Sequence, residues 1–107
     1  MINEAPNNSY IRSLSGGDES FEKQLMTLIK KEMPDERKAY ENCIVNKNYE
    51  EASQYVHKLR HKISILGLSK SYEVATDYEE ELLNDNTSKH EFFIQLLDKM
   101  EDYVNNY

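Results

Sequence analysis

Residues 56–67, VHKLRHKISILG, hold His57, Arg60 and His61 at i, i+3 and i+4, with Ser64 at i+7. On a helix these positions share one face. A neutral imidazole is a competent nucleophile near neutral pH, because its reference pKa is about 6.5. A guanidinium one turn away offers a planar array of donors suited to phosphate oxygens. The same residues also admit metal ligation, base catalysis or a solvated polar surface. Zincin chemistry needs Glu directly after the first His, and Lys58 stands there. A metal would also want a third ligand, and His90 lies at the start of another expected helix. No metal site and no resident cofactor are therefore expected. The sequence has no Gly-rich phosphate loop, so a partner would have to supply magnesium and activation.

The direction of the segment decides whether this chemistry is accessible. Tyr49, Ala52, Val56, Leu59, Ile63 and Leu66 recur at steps of 3 and 4, which predicts one buried seam. The mean direction of His57, Arg60, His61 and Ser64 lies roughly 120° around the helix from that seam. His57 should stand on the open side. Arg60 lies nearer the seam edge, within reach of His57.

The surrounding elements read as helices. Residues 1–8 are polar and expected to be flexible. A short leader helix carries Tyr10, Ile11 and Leu14. Asp18 follows a Gly16–Gly17 turn and suits an N-cap. The next helix shows Phe21, Leu25, Leu28 and Ile29. Pro34 predicts a kink or brief break, after which Tyr40, Cys43, Ile44 and Val45 resume the pattern. Asn48 and Glu51 are spaced as a capping box for the seam helix, as are Ser88 and Glu91 for the last helix. Gly67 suits a left-handed helix end, with Leu68 folding back over the last turn. Ser69 suits the cap of a helix with Tyr72, Ala75, Tyr78 and Leu82. The final helix has Phe92, Phe93, Leu96, Leu97, Met100, Tyr103 and Val104. Short connections favour antiparallel neighbours. The expectation is an all-α, up-and-down antiparallel four-helix bundle with a short N-terminal leader helix, one domain over residues 9–107.

A net charge of −7 repels nucleic acid and anionic membrane surfaces and argues against a general nucleic-acid binder. No apolar run approaches the roughly 20 residues of a membrane span, and no signal peptide is evident. Cys43 is the one cysteine, so no internal disulfide forms within the chain. Its simplest place is the core. A monomeric cytoplasmic protein is expected. The acidic run from Asp77 to Glu81 reads as a solvated helix face.

The seam helix resembles the signature of histidine-containing phosphotransfer (HPt) domains. That pattern is His, Leu two on, Lys or Arg three on, Gly four on, and a hydrophobic–Gly pair nine and ten on. Here His57, Leu59, Arg60, Leu66 and Gly67 stand at those offsets. "NYEEASQYV" is similar to the family's approach to its histidine, and "YIRSLSGGDESFEKQLMTLIKKEMP" to its opening helices. Tyr78–Glu79 sits where the family has a hydrophobic–Glu pair. The likeness runs from about Tyr10 to the end. It implies a phosphorelay intermediate, not an autonomous enzyme. His57 would accept a phosphoryl group from the aspartyl phosphate of a response-regulator receiver domain and pass it to another receiver. Arg60 would stabilise the phosphate, and His61 and Ser64 would be docking-surface neighbours. The implied partners are receiver domains and a hybrid histidine kinase, with Mg²⁺ on the receiver. One departure stands out: the family's Gly is His61 here, with Lys62 after it. The alternative is a degenerate HPt-like helical module that docks on a receiver or kinase without transfer.

Overall fold

The computed structural model describes residues 4–107, and among them every regular element is a helix. In order these are α1 (Ser9–Ser15), α2 (Glu19–Val45), α3 (Tyr49–Ile65), α4 (Ser69–Leu82) and α5 (His90–Asn105). Helix α3 packs against α4 and α2, while α2 also carries α5 and α1 on its flanks. No helix among the described residues is long and apolar enough to cross a membrane.

Three corners close in the same way. At the end of α3, Gly67 adopts φ +77°, the Leu68 amide donates to the Ile63 carbonyl at 3.2 Å, and the Gly67 amide donates to Ser64 at 3.0 Å. Leu68 is fully buried, as its folded-back position requires. The ends of α2 and α4 repeat this pairing around Lys47 (φ 57°) and Asp85 (φ 59°), which lack the freedom of glycine.

Several local expectations are corrected. Helix α2 runs unbroken through Pro34. Pro34 and Lys30 are both exposed, so the carbonyl that proline deprives of a donor is on the wet side. On α2 the buried stripe is Met26, Ile29, Met33, Tyr40 and Cys43, whereas Phe21, Leu28 and Val45 are exposed. In α1 only Ile11 is buried. Asp18 does cap α2, accepting from the Ser20 and Phe21 amides at 2.9 and 3.3 Å. The Asn48 side chain makes no cap bond and instead donates to Glu51 Oε2 at 2.7 Å. Ser69 lies inside α4, and α5 starts after Lys89 with no side-chain cap.

The seam of α3 holds as expected: Ala52, Val56, Leu59, Ile63 and Leu66 are fully buried, and Tyr49 is half-buried. A polar knot completes the core. Tyr40 Oη lies 2.5 Å from Tyr78 Oη and 2.8 Å from His90 Nδ1, joining α2, α4 and α5. Burial first, then the bond to Tyr78, pushes the Tyr40 phenol well above its ordinary pKa. Tyr40→Phe would leave the buried Tyr78 hydroxyl unpartnered. It should lower stability by about 1–3 kcal/mol, read as a shift of the urea midpoint.

Of residues 1–8, expected to be flexible, the first three lie outside the described residues. Glu4 performs the task expected of Ser69: its carboxylate accepts from the Lys70 and Ser71 amides at 3.0 and 2.8 Å. The Asn7 amide donates to the Leu66 carbonyl at 2.9 Å, and a Cβ on Gly67 would come within 2.5 Å of Asn7 Oδ1. Burial raises the Glu4 pKa, but the amide bonds outweigh it and hold the group below its ordinary 4.5. Its contribution is therefore present above pH 4.5 and lost as pH falls through the lower folded value. Glu4→Gln should flatten the stability–pH profile below that point, measured by denaturant unfolding across the acid range.

Candidate functional site

The seam turns α3 so that the opposite face is open. His57 is exposed, with 55% of its side-chain surface accessible. His61 and Ser64 are exposed on the same face. Arg60, nearer the seam edge, is only 17% exposed and lies against α4.

Glu79 of α4 joins these residues. Its Oε1 lies 3.1 Å from His57 Nδ1 and 2.9 Å from Arg60 Nη1. The second terminal nitrogen of Arg60, Nη2, donates to Tyr72 Oη at 2.8 Å, and the guanidinium carbon sits 4.8 Å from the Tyr72 ring centroid. Burial acts to lower the Arg60 pKa, but Glu79 and then Tyr72 overcome it and hold the group above its ordinary value. Both terminal nitrogens are thus engaged, and the buried Nε has no partner.

This geometry selects a tautomer. His57 Nδ1 faces Glu79 Oε1 at 3.1 Å and Arg60 Nη1 at 3.4 Å. The arginine contact is long for a hydrogen bond, and an ionised carboxylate only accepts. Nδ1 therefore carries the proton and donates to Glu79. The lone pair is left on Nε2, the opposite edge of an exposed ring.

His61 stands edge-on to His57, with ring centroids 5.5 Å apart and planes at 87°. Lys58 folds away, its Nζ 5.2 Å from the Tyr55 ring centroid. Lys62 points to the other side and is buried between Glu32 and Glu36 at 3.2 and 2.9 Å. Ser64 continues the open face into a groove of about 480 Å³ shared with Tyr10, Tyr72 and Glu73. His90 does not join the other histidines, since its Nδ1 bonds Tyr40.

The structure thus brings His57, Arg60 and His61 together and adds two residues. Tyr72 was legible as part of the apolar pattern of α4 but not as an arginine partner. The reading of Asp77 to Glu81 as a solvated face is corrected: Asp77 and Glu80 are exposed, Tyr78 is buried, and Glu79 and Glu81 are half-buried ion-pair partners of Arg60 and Lys89. Glu79 follows Tyr72 by two helical turns, a spacing that puts both on one face of α4, and the resemblance had already singled out Tyr78–Glu79. Comparison of the chain with protein-family models, curated proteins and solved structures finds no match.

Glu79→Ala would strand the Arg60 charge in a largely covered position. It should lower stability by about 1–3 kcal/mol. It should also shift the His57 ring-nitrogen resonances toward a tautomer mixture in ¹⁵N NMR.

Proposed function

We propose that the protein is a histidine phosphotransfer carrier of the HPt type, a phosphorelay intermediate with His57 as phosphoacceptor. The observation that carries this reading is the exposed imidazole whose Nδ1 is held by Glu79, leaving Nε2 as the nucleophile. The resemblance around His57, Leu59, Arg60, Leu66 and Gly67 supports it. So do the contacts between helices: His57 meets Glu79 while Arg60 meets Tyr72, and Tyr40 meets His90 while Arg37 meets Glu101. Residue numbers rise along one helix as they fall along its neighbour, in keeping with an up-and-down antiparallel bundle of α2–α5 behind leader α1.

In this reading the Nε2 lone pair attacks the phosphorus of a receiver's aspartyl phosphate. The N–P bond forms, the acyl-phosphate P–O bond breaks, and the carboxylate leaves. No proton need depart from Nε2. The proton stays on Nδ1, donated to Glu79, whose negative charge offsets the positive charge that develops on the ring. The receiver supplies Mg²⁺ and in-line alignment, so the chain is a carrier without autonomous catalysis. The second receiver takes the group by the reverse chemistry.

His61 favours a second reading, a module that docks on a receiver or kinase without transfer, because its ring crowds the face a receiver must close over. Incubation with a phosphorylated receiver and tracing of acid-labile label separates the two. The carrier reading expects label on the parent protein and none above background on His57→Gln. Glu79→Gln should slow uptake about 10- to 100-fold, the scale for loss of a carboxylate that orients an imidazole. Receiver binding with no label, restored by His61→Gly, would favour the docking module.

A further inference from the structure

The phosphoryl group on His57 needs a donor for its oxygens, and Arg60 is poorly free to give one. Its Nη1 is held by Glu79, its Nη2 by Tyr72, its plane by the Tyr72 ring, and its free Nε is buried. Releasing the guanidinium would strand Glu79 and expose His57 Nδ1 to competing partners. Lys58 is turned toward Tyr55, and Lys62 is held by Glu32 and Glu36 on the far side of α3. One polar ring remains beside His57 on the open face. His61 is exposed, one turn along the same helix, and 5.5 Å from His57 between centroids.

We infer that His61 donates a hydrogen bond to the phosphoryl group carried on His57 Nε2, while Arg60 serves as a positioning residue that fixes Glu79. The inference rests on the carrier reading and deepens it. A phosphoryl group bound through nitrogen keeps negatively charged oxygens that project beyond the ring. An imidazole N–H one turn away can meet them without disturbing the clasp among Glu79, Arg60 and Tyr72. The bulky residue that narrows access to His57 is then also the one that holds its cargo.

Phosphoramidate loads histidine without any receiver: Nε2 forms the N–P bond, the P–N bond of the reagent breaks, and ammonia leaves. The full chain is loaded in this way and followed by ³¹P and ¹⁵N NMR. On phosphorylation of His57, the His61 ring-nitrogen resonances should move and show a coupling to ³¹P, while the Arg60 side-chain resonances stay in place. His61→Ala should lose its phosphate about tenfold faster than the parent, the loss expected for one charge-assisted hydrogen bond. His61→Gln, which keeps a donor, should recover most of the lifetime. Arg60→Gln should slow loading but leave the lifetime within about twofold.

An unmoved His61 ring, an unchanged lifetime in His61→Ala, or Arg60 resonances that shift on loading would each overturn the assignment. Label found on His61 itself would overturn it too. These outcomes leave His57 or the relay reading to be judged by the receiver experiment. Failure of His57 to load at all, with the protein folded, would count against both.

Discussion

The burial of Ala52, Val56, Leu59, Ile63 and Leu66 along a single stripe is the constraint from which the site follows. A helix that commits one side to its neighbours has its other residues fixed in direction, to within the width of that stripe. His57 and His61 are turned outward by the packing of residues on another side of their own helix. Arg60 sits at the margin, where a long side chain can lay its stem and head against α4. A substitution that rotated α3 by one position would take the imidazole, the arginine and the Glu79 contact apart together.

Charge at the margins of the core follows the same logic. Arg37 reaches from α2 to Asp98 and Glu101 of α5, and Lys62 reaches from α3 to Glu32 and Glu36 of α2. Arg60 and Glu79 join α3 to α4. Each pair sits where a long side chain leaves the apolar interior, and each fixes the relative register of two helices. Such pairs add modest stability but penalise alternatives in which one partner is buried alone. The Tyr40–Tyr78–His90 knot acts similarly deeper in the core.

The sequence made the helices legible wherever period and burial coincide. Steps of 3 and 4 in α3 and the apolar run of α5 named the buried residues, although Tyr49, Phe92 and Tyr103 are only half-buried. Helix α2 was harder, because it is long, flanked on several sides, and bears enough apolar residues to trace two stripes. Phe21 and Leu28 lie on the more exposed stripe. Caps were read from local spacing, yet Glu4 reaches α4 from 66 residues away in the chain. No window can show that. The outward turn of His57 was legible from angles alone. The Glu79 clasp was not, because it depends on where α4 lies beside α3.

Cys43 carries a consequence of its own. It is the one thiol in the chain and is buried near the end of α2, in the wall of a recess that it shares with Asn48, Glu51 and Tyr55. Burial first, and the charge of Glu51 second, push the thiol pKa up. Both shielding and scarcity of thiolate slow its reaction while the corner is closed. The molecule thus contains its own clock. The rate at which a disulfide reagent captures this sulfur measures how often α2 and α3 part, with no label added and no residue changed.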